Sequence, residues 1–454
     1  MMRISMWLLL ALAACGKSGA SREPPPDPAP GPATPGKSAR VTKLVERLQT
    51  HDFESTRATM EEIRELAKEP TFTEAEGAQL LRSTLAPFPK SESGLLDLPA
   101  QIITAVGQHP RDSYAAVIEE MFPKWKRPAR EAALRVVSAI ASPSGTATFV
   151  RLLKQHIADA TVEPGPIFEA LEAKPHHAKE IVPIVMELTQ RPAWAYDANL
   201  VVLKYCKQGL LQPRLYLGKL DSVLAAYRVE RDWLTPKQRP EAPGFAWTEE
   251  YGTHRERAAV LLDLMQCVQG SENIDELKAA LTMKDARLVY FAATSLLENE
   301  VAVSDETIAR IAASPEMRGW LFEDLRKRDL AGRFPAKYAT QEALAESALT
   351  VWLTYPTELG RPPDDIALGK RVTVEEADYY VFKFRLRDAR EAARKGWMAG
   401  VVGPYPVGAE PTGDSPDATF SNFTPYGSQT PEQLVATIAK QIGDANESLS
   451  TKPR

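Results

Sequence analysis

The sequence predicts a mainly α protein: a solenoid of stacked helix pairs that ends in a small α+β domain. Three observations carry that reading. Apolar residues recur at spacings of three and four, helix after helix, through residues 41–354. A pair of alanines marks the first helix of successive units, and the last two pairs stand 34 residues apart, a period typical of helical repeats. From about Tyr355 the helical period stops, and Tyr380–Arg387 alternates apolar and polar residues with period two.

The first element is an address. Residues 1–14 read MMRISMWLLLALAA, with Arg3 followed by an apolar run from Met6 to Ala14. That run is too short for a helix that must hold about 20 apolar residues to span a bilayer, and it has the form of a signal-peptide core. Leu12-Ala13-Ala14-Cys15 follows directly. This tetrapeptide resembles the lipobox of bacterial lipoproteins. The resemblance implies cleavage before Cys15, a diacylglycerol thioether on its sulfur and an acyl group on the new amino terminus. Several acyl chains on one residue meet the requirement for stable anchoring.

Residues 15–40 are then the lipid anchor and a tether. Seven prolines fall within the 17 positions 21–37. Such composition favours extended polyproline II, and at about 3.1 Å per residue the 24 residues from Gly16 to Ala39 reach roughly 70 Å.

Residues 41–354 form the helical array. In Arg130–Ile140, the residues Ala133, Val136, Val137 and Ile140 share one face, with Pro128 and Pro143 bracketing the segment. Thr146–Ile157 follows, with Phe149, Leu152, Leu153 and Ile157 on one face. The same helix–turn–helix unit recurs as Arg255–Met265 with Ile274–Leu281, and as Arg287–Leu297 with Thr307–Ala313. The first helices carry Ala132-Ala133, Ala258-Ala259 and Ala292-Ala293, small residues that permit close packing. Further helices are expected at 53–68, 73–86, 94–108, 113–122, 177–190, 197–211 and 217–232. The loop Pro236–Pro243 is the longest interruption. These units resemble HEAT repeats, whose loose signature is shared by other α-solenoids. The resemblance implies a continuous core built by stacking and an extended surface suited to binding another protein.

Residues 355–454 form the α+β domain. In the strand Tyr380–Arg387, Tyr380, Phe382, Phe384 and Leu386 point one way, while Val381, Lys383, Arg385 and Arg387 point to solvent. Arg371–Val374 is the expected partner, joined by a hairpin connection at residues 375–378. Gly396–Val402 and Ala418–Phe423 are further strands. Thr430-Pro431-Glu432-Gln433 opens a helix with a capping box. The segments Trp352–Gly360, Tyr379–Phe382 and Gly396–Gly400 are similar to the C-terminal region of bacterial HEAT-repeat proteins, a resemblance that implies no particular activity.

Composition removes several function classes. A chain of 454 residues exceeds one compact core, and 44% hydrophobic with 25% charged residues is ordinary for a folded soluble body. The net charge of −5 argues against nucleic acid as partner. The 3 cysteines are too few for a disulfide-rich scaffold. Cys206 and Cys267, 61 residues apart, could bond in an exported protein, but the expectation is two buried thiols on separate repeats.

No phosphate-cradling glycine loop, metal-binding helix motif or nucleophile elbow occurs, so no catalytic residue, metal ligand or cofactor is assigned. His176-His177 reads as a solvated helix start, and Asp364-Asp365 as an acidic turn. Phe122–Arg127 interleaves aromatic and basic residues without the compartment of a nucleic-acid binder. The remaining surface candidates are Glu358, Tyr379 and Trp397, where array and sheet meet, and the basic stripe Lys383, Arg385 and Arg387, which reads as a solvated strand face. The function expected is a non-catalytic scaffold for an envelope protein partner, held to the outer membrane through the lipid on Cys15. The alternatives are an enzyme with its site near Glu358, Tyr379 and Trp397, and a glycan or small-ligand binder using the C-terminal aromatics.

Overall fold

A computed structural model describes residues 38–49, 53–86, 88, 97–158, 167–211, 220–237, 247–267, 270–354, 358–387, 396–414, 416, 418–421 and 423–450. Cys15, the signal segment and the tether up to residue 37 lie outside these residues, and residues 39 and 40, expected in the tether, open the first helix. The protein is mainly helical, with one small four-stranded antiparallel sheet near its C-terminus. It divides into two compact units, Met1–Leu215 and Tyr216–Arg454.

The first unit contains α1 (Ala39–Leu48), α2 (Phe53–Lys68), α3 (Glu74–Ser83), α4 (Leu98–Val106), α5 (Asp112–Met121), α6 (Arg127–Ser138), α7 (Pro143–Ile157), α8 (Glu169–Ala173), α9 (Ala178–Leu188) and α10 (Ala195–Lys207). From α1 to α8 each helix with a partner two places on packs against it, as α3 does on α5, α4 on α6 and α5 on α7, besides its hairpin neighbour. The faces read from the sequence are the buried ones: Ala133, Val136 and Val137 in α6 with Ile140 just past its end, and Phe149, Leu152, Leu153 and Ile157 in α7. Pro128 and Pro143 differ from expectation. They sit inside the first turns of α6 and α7 rather than outside them, where a missing N–H removes no helical bond.

Side chains stitch one layer to the next. Arg191 donates to the carbonyl of Ile157, the last residue of α7, at 2.6 Å. The indole N–H of Trp125 donates to Thr84 at 2.8 Å. His176 and His177 meet the carbonyls of Ser138, the last residue of α6, and Ala141, in the turn after it, at 2.8 and 3.0 Å. Those two rings therefore link a helix start to the neighbouring turn, which is a more specific role than a solvated terminus.

The second unit contains α11 (Leu220–Leu234), α12 (Glu249–Leu264), α13 (Ser271–Ala280), α14 (Ala286–Glu298), α15 (Asp305–Ala313), α16 (Pro315–Lys327) and α17 (Gln341–Thr354). Then come β1 (Asp365–Val374), β2 (Ala377–Arg385), β3 (Met398–Pro406), β4 (Ala418–Phe420) and α18 (Pro431–Ser450). Helices α12, α14, α16 and α17 stack in series, and the alanine pairs of α12 and α14 are buried between them. Helix α12 starts earlier than its apolar pattern suggests because Thr248 caps it, its hydroxyl accepting from the Tyr251 N–H at 3.0 Å.

The sheet is a meander in the order β1-β2-β3-β4. Val374 pairs with Ala377, so the hairpin turn is only Glu375-Glu376, with Glu375 in the left-handed region at φ 54°. Strand β1 begins at Asp365, earlier than expected, because that half of the strand pairs with the far end of β2. The expected one-sided burial of β2 is also corrected. Tyr380, Phe382 and Phe384 pack with Leu349 and Leu353 of α17, while Tyr379 and Val381 pack with Leu434, Val435 and Ile438 of α18. Both faces of the sheet are covered, one by each helix. The Thr430 hydroxyl and the Gln433 side chain form the expected reciprocal cap of α18, at 3.2 and 2.9 Å.

Candidate functional site

The sequence candidates scatter over the C-terminal sheet. Glu358 lies half-buried in the turn after α17, next to Leu359, which packs on the α17 side. Tyr379 is buried on the opposite face, beneath α18. Trp397, just before β3, lies under two cations of β2: Lys383 Nζ is 4.9 Å and the Arg385 guanidinium 4.6 Å from its ring centre. The three residues proposed for an enzyme site therefore do not converge. The space between α17 and the sheet is filled by Leu349, Leu353, Tyr380, Phe382, Phe384 and Met398.

The basic stripe is engaged within the fold. Arg385 and Arg387 both pair with Asp365, Arg385 at 2.7 Å. Arg361 forks onto Asp364 at 2.9 and 3.1 Å, and the Arg387 backbone N–H donates to Asp364 at 2.7 Å. The hydrogen bond from Arg387, reinforced by Arg385, holds the Asp365 carboxyl down at about 2. Burial alone would raise Asp364, but Arg361 and the Arg387 N–H keep it below the ordinary range. Two arginines of the stripe thus have internal anions, and Lys383 lies over an indole. Arg390, Arg394 and Lys395, which continue the stripe in sequence, lie outside the described residues. The C-terminal aromatics divide between the two cores, Phe423 toward α17, and Phe420 and Tyr426 toward α18.

A second cluster escaped the sequence reading. Asp285 is the N-cap of α14 and Glu316 lies in the first turn of α16, so both carboxylates sit at the positive ends of helices. Arg255 of α12 reaches both. Its Nε donates to Asp285 at 2.7 Å, and its two terminal nitrogens donate to Glu316 at 2.9 and 2.6 Å. The Tyr251 hydroxyl donates to Asp285 at 2.7 Å. Arg287 adds a bond to Glu256 and lies over the rings of Phe291 and Trp320. Burial opposes ionisation of Asp285, yet the Arg255 charge holds its carboxyl below the usual range. The available signal was the spacing. Tyr251 and Asp285 stand 34 residues apart, and Tyr290 bonds to Asp324 with the same separation.

A third cluster joins α11 to α12. His254 Nδ1 meets the Glu230 carboxylate, Trp233 stacks on the His254 ring at 3.8 Å, and Lys237 Nζ lies 3.4 Å from the indole centre. The Glu230 carboxylate and the Trp233 ring fix the orientation of the imidazole. Among the described residues, no group of three or more His, Cys, Asp or Glu side chains is placed to hold a metal ion, and no helix is long and apolar enough to cross a membrane.

Cys206 and Cys267 are both disulfide-bonded. This replaces the expectation of two buried thiols. No protein-family model matches this chain, and no curated protein matches it.

Proposed function

We propose that this chain is a lipid-anchored protein of the bacterial envelope whose HEAT-like helical array serves as a scaffold for another protein. The observation that carries the reading is the packing of helices in the first unit, where a helix meets the helix two places on, a pattern continued in the second unit by α12 on α14 and α14 on α16. That pattern suits a solenoid, which offers a long surface rather than a closed pocket. The cross-layer bonds of Arg191, Trp125 and Arg255 favour a rigid presentation of that surface. Disulfide-bonded cysteines fit an oxidising compartment, in line with the signal-like segment and Cys15. The filled space beneath the sheet and the separation of Glu358 from Tyr379 favour the scaffold over an enzyme site there.

Two measurements test the proposal. Cys15→Ser is expected to leave the precursor uncleaved and free of incorporated palmitate; unchanged cleavage and labelling would refute the anchor. Photo-crosslinking residues at the exposed positions Val229 and Trp352, 66% and 37% accessible, are expected to capture one discrete protein in cells. Absence of any adduct from these and neighbouring array positions would refute the scaffold.

A further inference from the structure

The turn between α5 and α6 carries cations that the fold leaves without anions. Trp125 and Phe122 are buried and fix the turn, while Lys124 and Lys126 project as exposed residues on either side of Trp125. The Phe122 ring stands 6.4 Å from that of His156, which places the turn beside the last turns of α7, where Lys154 is exposed. Among the described residues, the carboxylates nearest in the chain to Lys124 and Lys126 already belong to arginines. Glu119 pairs with Arg151 at 2.6 Å, Glu120 with Arg82 at 3.5 Å, and Glu131 with Arg127 at 2.7 Å. Arg130 is turned inward and donates to the carbonyls of Phe122 and Pro123. Among the described residues, Lys124, Lys126 and Lys154 have no acidic partner. The turn thus differs from the Lys383–Arg387 stripe, whose two arginines share the carboxylate of Asp365.

We propose that this rim of the first unit, Lys124, Lys126 and Lys154, docks on the anionic phospholipid leaflet that holds the Cys15 anchor. The inference rests on the anchoring proposed above. Two points select lipid over an acidic protein. Lysine is a compact, hydrated point charge suited to a diffuse anionic layer, whereas stereospecific carboxylate recognition favours the forked arginine, and here the arginines face inward or are paired. Three lysines also supply little free-standing affinity, but an acyl anchor on Cys15 in the same chain would keep the bilayer at high effective concentration, where weak attraction suffices. The tether then limits how far the body strays, and the rim decides which side faces the membrane.

The test uses the mature chain carrying Cys15→Ser, which has no acyl group, in co-sedimentation with vesicles. Vesicles of phosphatidylethanolamine with one quarter phosphatidylglycerol should retain the protein, and vesicles of phosphatidylcholine should not. Replacing Lys124, Lys126 and Lys154 by Gln should lower partitioning roughly a hundredfold, about fivefold per lysine. Raising the salt to 0.5 M should do the same. A control with Lys43, Lys174 and Lys278 replaced by Gln changes net charge equally and should keep its binding. Circular dichroism should be the same for all variants, since every replaced lysine is exposed. Equal binding by the rim variant, an equal loss in the control, or no dependence on phosphatidylglycerol would overturn the proposal. So would capture of an acidic protein by a crosslinker at Lys124 in a chain that ignores vesicles. Palmitate labelling of Cys15 in cells reports the anchor separately, so failure of the anchor and failure of the rim are distinguishable.

Discussion

Arg255 and Glu316 lie 61 positions apart and meet in a two-point ion pair, with both terminal nitrogens of the arginine on the carboxylate. The pair spans α12 and α16 across α14, and Asp285 at the head of α14 accepts the remaining Nε–H. Removing the arginine would leave buried Asp285 without its cation and Glu316 with only Arg287, 3.6 Å away. Arg255→Met is therefore expected to cost about 3–5 kcal/mol in urea unfolding. Replacing Asp285 and Glu316 by Leu in the same chain should recover most of that loss, because the penalty is the unpaired charge. A loss under 1 kcal/mol in Arg255→Met would show that the network is not buried as described.

Glu76 anchors the start of the first unit. Its carboxylate accepts from Arg40 Nε at 2.6 Å, from Ser38 Oγ at 2.8 Å and from the Thr73 N–H at 3.0 Å, while Thr73 Oγ caps α3 in return. The hydrogen bond from Arg40, acting against burial, brings this carboxyl down to about 2. A depressed acid stabilises fully above its unfolded range and loses that contribution as the pH falls through its folded value. Glu76→Gln should thus destabilise by about 2 kcal/mol at pH 7, from the lost charge-assisted hydrogen bonds with Arg40, while the Gln side chain still accepts from the Thr73 N–H. The gap between parent and variant should close between pH 4.5 and 2. A gap independent of pH would mean that the charge contributes nothing.

Much of the helical half was legible because its signals are local. Periodicity located α6, α7, α12 and α14, and the Thr430–Gln433 box located the start of α18. The misreadings were of another kind. Strand β2 looks half-buried because Lys383 and Arg385 alternate with aromatics, yet those cations cover Trp397 and their face is shielded by a helix that begins 45 residues later. Glu358 and Tyr379 looked like neighbours because both flank the junction, and the sheet separates them. Gly400 shows the same limit. In sequence it is one small residue of a GWMAG run; in the fold a Cβ there would stand 2.7 Å from a methyl of Leu349. Gly400→Val is accordingly expected to cost about 1–3 kcal/mol through overpacking against α17. Leu349→Ala in the same chain should relieve part of it, and additive losses would refute the contact.

Glu172 titrates in the opposite sense to Glu76. Burial, reinforced by the Asp197 charge and opposed by Lys204, pushes its carboxyl up to about 7. A buried acid of this kind carries no penalty while protonated in both states. It destabilises increasingly as the pH rises from its unfolded range, near 4.3, through about 7. Glu172→Gln mimics the protonated form. It should leave stability unchanged at pH 4 and raise it at pH 8 by at most about 3.7 kcal/mol, the linkage limit for that shift. Urea midpoints at the two pH values check the sign, and a variant weaker than the parent at pH 8 would reverse the assignment.

The two disulfide-bonded cysteines make the most direct chemical test. A thiol buried on a repeat reacts once the protein is unfolded, whether or not reductant is present; a bonded sulfur reacts only after reduction. Iodoacetamide in urea without reductant should therefore leave Cys206 and Cys267 unmodified, as read by peptide mass spectrometry. Dithiothreitol should then make both available together. Reduction is also expected to lower folding stability by about 2–4 kcal/mol, since the cross-link restricts the unfolded chain. Cys206→Ser should leave Cys267 open to alkylation without reductant, which separates a genuine bond from simple inaccessibility. The same labelling, done on cells quenched with acid, also reports the compartment. Bonded sulfurs in the native protein accord with export, whereas full alkylation before reduction would place the chain among reducing surroundings and remove one support of the envelope reading.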